Sequence, residues 1–93
     1  MAGLYILHFD HPYWNNARHY VGYTKNGIED RIAKHRAGNG SLLVAYALKH
    51  GSNFVVAHTE EFPEPWQARQ REYQLKRGHN LSKHCEVCRG KRG

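Results

Sequence analysis

A few residues in this sequence stand at spacings that chemistry can use. Arg31 and His35 are four apart in DRIAKH, so on a helix they project from one face. Glu72 lies inside RQREYQLKR, three residues after Arg69 and four before Lys76. Tyr5 in GLYILHF and Tyr20 in RHYVGYT belong to two short β-like runs and can face the same side of a sheet. One carboxylate, one arginine, one histidine and a set of tyrosines suit phosphodiester chemistry. The carboxylate is a hard oxygen ligand for Mg²⁺, and the metal stabilises charge developing on a leaving oxygen. Arginine presents a fixed fork of donors to phosphate oxygens. A tyrosine or histidine can take a proton from attacking water. Taken singly, each residue has a plainer reading. A strand tyrosine is most often half-buried packing, and Arg31 can pair with Asp30 or Glu64. A glutamate between basic residues is usually a surface ion pair worth a few tenths of a kcal/mol. Only convergence makes a site of them, and spacing alone does not establish convergence.

The elements that must position these groups can be read along the chain. Leu4 to Phe9 is a mostly apolar strand, and Asp10 to Ala17 is turn-rich. Arg18 to Thr24 reads as a second strand antiparallel to the first. Asn26 stands in an N-cap position with Glu29 three residues on, predicting a helix from about Gly27 to Arg36 that stops before AGNG. Ser41 caps a second helix, LLVAYALKH, which ends at Gly51. Asn53 to Thr59 is a third strand and EEFPEP a loop. Pro65 opens a helix that closes at Gly78, and the rest is polar and irregular. The order β-β-α-α-β-α predicts an α+β fold, a three-stranded antiparallel sheet flanked by helices. The first two strands pair as neighbours; the place of the third is open. Residues 1–78 form the domain, and 79–93 a basic tail containing Cys and His.

Ninety-three residues suit one domain with one modest core. With 40% hydrophobic and 12% aromatic residues, the chain is of folded rather than disordered type. No stretch approaches the roughly 20 apolar residues of a membrane span. No leader is visible before the first strand, so a cytoplasmic location is the expectation. The net charge of +6 is concentrated in one region. Six cations balance six anions up to Ala68, whereas Arg69, Arg71, Lys76, Arg77, Lys83, Arg89, Lys91 and Arg92 face only Glu72 and Glu86. A localised basic segment attracts a polyanion by counterion release, and nucleic acid is the commonest such partner.

Cys85 and Cys88 form C-x-x-C, with His79 and His84 just upstream. Two cysteines and two histidines can bind zinc tetrahedrally, although adjacent His84 and Cys85 would be awkward paired ligands. Half a site completed by a second chain is an alternative, and so is a reduced tail with idle thiols.

Gly3-Leu4-Tyr5 and Tyr20-Val21-Gly22 resemble the paired signature of the GIY-YIG nuclease family, with Leu4 and Val21 where that family prefers Ile. Downstream, Arg31 and His35 stand where the family has an arginine and often a histidine, and Glu72 where it has a metal-binding glutamate. The resemblance runs from Gly3 to about Arg77 in the family's order. It implies hydrolysis of a DNA phosphodiester with one Mg²⁺ or Mn²⁺, of the kind used in DNA repair or recombination. By that analogy Tyr5 is the general base or its immediate partner, and Tyr20 holds the water or the scissile phosphate. Arg31 stabilises the pentacovalent charge, Glu72 holds the metal near the 3′-leaving oxygen, and His35 assists proton transfer or binds phosphate. Tyr23 occupies a position that is functional in several members. Lys34, Arg69 and Lys76 would contact DNA, with Asn80 the candidate for an asparagine many members carry beyond the glutamate. Asn80 follows Glu72 by only eight residues and lies just past Gly78. A free tyrosine titrates near 10, so Tyr5 serves as base near neutral pH only if cations favour its phenolate. Many members have a separate DNA-binding domain, and the expectation is that this chain has none. Targeting would then come from DNA shape, a homodimer, the basic tail or a protein partner. Two other classes compete: a non-catalytic DNA-binding or accessory module of the same fold, and an RNA-binding module. Loss of Glu72, Arg31 or a tyrosine would favour the accessory class, and all are present.

Overall fold

A computed structural model describes residues 1–11, 18–78 and 81–90. Three strands, β1 (Ala2–Phe9), β2 (His19–Thr24) and β3 (Phe54–Phe62), form one antiparallel sheet in the order β2-β1-β3. The helices are α1 (Ile28–Arg36), α2 (Leu42–Lys49), α3 (Pro65–Gly78), α4 (Leu81–His84) and α5 (Glu86–Gly90). The third strand therefore returns to pair with the first, which becomes central. Its position explains its composition, since every residue of β1 is buried and a strand covered on both faces reads as a continuous apolar run.

Alternation along β1 divides the core into two layers. Tyr5, Leu7 and Phe9 pack with Ile32 of α1, Val44 and Ala47 of α2, and Phe54. Leu4 and Ile6 face the other way, onto Val21 and Leu75 of α3, with Phe62 and Leu81 at the margin. The α1/α2 side is called the front below, and the α3 side the rear. Asp10 Oδ1 accepts from the Ser52 hydroxyl at 3.1 Å and the Asn53 amide at 2.9 Å, tying the end of β1 to the start of β3.

Three local expectations are corrected. Gly27, at φ 95°, is the N-cap of α1 in place of Asn26, whose amide instead donates to Thr24 Oγ1 at 3.3 Å. A left-handed residue reverses the chain there, which glycine does at least cost. β3 continues through Glu60 and Glu61 to Phe62, because pairing with β1 outweighs the weak strand propensity of two glutamates. The segment after Gly78 contains two short helices. Among the described residues no helix is long and apolar enough to cross a membrane.

Candidate active site

The front face is built around the Tyr5 phenol, which is almost fully buried. Register places Tyr5 opposite Gly22, and Tyr20 opposite Leu7. Leu7 and Tyr5 share a face, so Tyr20 falls diagonally beside Tyr5, and the two rings stack with centroids 6.5 Å apart and planes at 29°. The empty cross-strand position is what lets the Tyr5 ring lie over β2. A Cβ on Gly22 would stand 2.5 Å from the Tyr5 hydroxyl oxygen. The adjacency of glycine and tyrosine in the two opening runs is thus steric: one strand supplies a ring and the other supplies room for it.

His35, on the inner face of α1, meets both rings edge-on, with centroids 5.5 Å from Tyr5 and 5.6 Å from Tyr20. Its Nε2 lies 2.7 Å from the Tyr5 hydroxyl. Its Nδ1 is buried without a hydrogen-bond partner among the described residues and faces Gly40, where a Cβ would stand 2.5 Å away. One turn earlier, Arg31 Nη2 donates to the Gly40 carbonyl at 3.2 Å. The i,i+4 pair on α1 therefore serves one assembly: Arg31 holds the loop that closes over His35, and His35 holds Tyr5. Sequence reading took Gly40 only as part of a helix stop. Its contact with His35 is made by chain folding and has no local signature.

Charge reaches the phenol from several directions. Burial pushes Tyr5 from 10 up to about 12; hydrogen bonding and charge from Arg31 pull it back, while Tyr20 and Glu72 add to the rise. Glu72 of α3 thus acts electrostatically on the same hydroxyl. Burial, and then the charge of Arg31, push His35 from 6.5 down to about 4, so its imidazole is neutral at pH 7. Two tyrosines and a histidine from two strands and one helix are in contact at the front, Arg31 stands one turn before that histidine, and Glu72 of α3 reaches the phenol through its charge. The GIY-YIG catalytic domain profile matches residues 1–91. The chain belongs to the GIY-YIG family. No curated protein and no solved structure matches it.

Membership in the GIY-YIG family implies nuclease-type chemistry with DNA as substrate, on a fold whose strand and helix order agrees with this one. The Glu72 side chain is 17% exposed, and among the described residues its only ion pair is a 3.6 Å contact with Lys76. A carboxylate held by so long an ion pair has the hardness that Mg²⁺ requires, and water and phosphate would complete the shell. Beside the cluster lies an open cleft of about 620 Å³ lined by Tyr23, Thr24, Lys25, Asn26, Asp30, Arg31 and Lys34. It brings Tyr23 and Lys34 to the same surface as Arg31. Lys25, which sequence reading passed over, joins them because β2 ends there.

Other candidates fall elsewhere. Arg69 is exposed on α3, and Lys76 is engaged with Glu72. Asn80 and His79 lie outside the described residues. His84 packs toward His58, ring centroids 6.4 Å apart, whereas Cys85 and Cys88 meet His8 and His19. Arg71 Nε and His58 both bind the Glu60 carboxylate, at 3.0 and 2.7 Å, securing α3 to β3.

Proposed function

We propose that this chain is a DNA endonuclease dependent on Mg²⁺ or Mn²⁺, with Glu72 as the metal ligand and Tyr5 as the proton-accepting group. The observation that carries this reading is the Tyr5 hydroxyl, held 2.7 Å from a neutral His35, drawn down by Arg31 and pushed up by Glu72. A phenol at about 12 beside an imidazole at about 4 keeps its proton in the free protein. A phosphate entering the cleft favours a protonated His35, since opposite charge stabilises the cation. Tyr5 can then pass its proton to Nε2 and accept one from the attacking water. Glu72 would hold the divalent ion, which would supply positive charge near the departing 3′-oxygen and offset the carboxylate's opposition to a Tyr5 phenolate.

Arg31 keeps donors beyond the one given to Gly40, and these suit the equatorial oxygens of the transition state. Tyr20, half-buried over Tyr5, positions the water or phosphate. Lys34, Tyr23 and Lys25 track the DNA backbone along the cleft. A second copy or a protein partner, together with the basic C-terminal segment, would supply target choice.

The test is incubation of supercoiled, linear and branched DNA with Mg²⁺, alongside Glu72→Ala and an EDTA control. Cleavage that disappears in both controls supports the endonuclease. Equal cleavage by Glu72→Ala would place the activity in another site or a contaminant. Binding without cleavage on all three substrates would make the chain an accessory DNA-binding module.

A further inference from the structure

On the rear of the sheet, four soft or borderline ligand atoms converge. His8 follows Leu4 and Ile6 in the rear-facing series of β1, and register sets it directly opposite His19 of β2. Cys85, between α4 and α5, and Cys88, within α5, close on the same point. His8 Nδ1 is 3.2 Å from His19 Nε2, 3.3 Å from Cys85 Sγ and 3.6 Å from Cys88 Sγ. Cys88 Sγ is 3.4 Å from His19 Nε2, and all four atoms lie within 4.8 Å of one another.

Hydrogen bonding accounts poorly for this arrangement. One ring nitrogen carries either a proton or a lone pair, so it engages one partner well. Here three polar atoms crowd His8 Nδ1 in a region where His8 and Cys85 are buried. A cation at the centre resolves the crowding. Zinc takes nitrogen at about 2.05 Å and sulfur at about 2.3 Å, which at tetrahedral angles sets N···N near ~3.3 Å and N···S near ~3.6 Å. The four separations, 3.2, 3.3, 3.4 and 3.6 Å, fall close to those values. The Cys88 amide also donates to Cys85 Sγ at 3.4 Å, as an outer-shell donor does for a metal-bound thiolate.

We propose that His8 Nδ1, His19 Nε2, Cys85 Sγ and Cys88 Sγ form a closed, structural zinc site that fastens the C-terminal segment to the rear of the sheet. Two thiolates and two imidazoles select zinc over Mg²⁺, and a full set of four leaves no open position for catalysis. The site is separate from Glu72 and independent of the nuclease reading. It also answers a structural need. Helices of four and five residues do not persist by themselves, and a metal bridge to two strands holds them in place.

The experiment is metal analysis of the full chain purified in metal-free buffer, followed by stripping and titration with Zn²⁺ or Co²⁺ alone. About one zinc per chain is expected. The stripped chain should take up Co²⁺ with the visible bands of a tetrahedral site and a thiolate charge-transfer band. His19→Ala and Cys88→Ser, both at half-buried positions, should lose the zinc, while His84→Ala and Glu72→Ala retain it. Should Cys88→Ser fail to fold, His19→Ala together with the Co²⁺ spectrum of the wild type decides the matter. Zinc should also raise the melting temperature of the stripped chain, an effect Mg²⁺ does not reproduce. Stoichiometric zinc in His19→Ala, its loss in His84→Ala, or a stripped chain that gives no tetrahedral Co²⁺ spectrum would each overturn the site.

Discussion

The Tyr5 hydroxyl and Nε2 of His35 are 2.7 Å apart, although thirty residues separate them in the chain and one lies on a strand, the other on a helix. Removing the hydroxyl tests both ends of that bond. Tyr5→Phe should slow single-turnover cleavage by about 10²–10⁴, the usual contribution of a positioned proton acceptor. It should also cost roughly 1–3 kcal/mol of stability, because Nε2 is left buried and unpaired. Urea unfolding beside the cleavage assay checks both. Undiminished cleavage by the variant would remove Tyr5 from the chemistry.

Gly22→Ala places a methyl group 2.5 Å from the Tyr5 hydroxyl oxygen. The expected outcome is a fold destabilised by about 1–3 kcal/mol through overpacking. Activity should fall by about 10²-fold, because the phenol must leave His35. Gly78→Ala is the control. A Cβ there meets nothing within 4 Å, and its effect should be neutral or slightly stabilising. Circular-dichroism melting and cleavage rates measured together would show whether the two substitutions differ as described.

His35 gives stability a defined pH dependence. Its folded value is near 4 against 6.5 unfolded, so folding excludes a proton that the unfolded chain binds. The stabilisation is complete above about 6.5 and is lost as pH falls toward 4, by on the order of 3 kcal/mol. His35→Gln keeps an amide at the site and has no such titration. Its unfolding midpoint in urea should fall less steeply than that of the wild type between pH 6.5 and 4. Parallel curves would show that His35 does not titrate as its burial implies.

Arg31→Ala should reduce kcat by about 10²–10³ while changing DNA affinity only a few-fold, if its donors serve the transition state. The Gly40 carbonyl loses its partner in this variant, which adds about 1 kcal/mol of instability. Arg31→Lys retains the charge without the fork and should recover binding fully but turnover only in part. Equal losses in affinity and turnover would assign Arg31 to ground-state binding. Filter binding and single-turnover rates separate the two.

Much of the fold was legible because it is written in local chemistry. The apolar run of β1, the tyrosine-rich alternation of β2 and Pro65 at the start of α3 are short-range signals, and the elements stand where those signals put them. Arg31 with His35 was visible as a helical spacing. The role of Gly40 was not, because its contact with His35 depends on how the loop after α1 folds back. The tail illustrates the same limit more sharply. His79 and His84 were natural partners for the cysteines because they are close in sequence. The side chains that meet the thiols belong to positions 8 and 19, more than sixty residues away, and become neighbours only through strand register. Asn26 looked like the better cap by residue type, yet the chain needed a positive φ at Gly27.

β1 carries Tyr5 on its front and His8 on its rear, three positions apart along one buried strand, a span of about 10 Å. The strand is paired on both edges and covered on both faces. With the rear site filled as proposed, oxidation of the two thiols, or scarcity of a trace element, would release the C-terminal helices from β1 and β2.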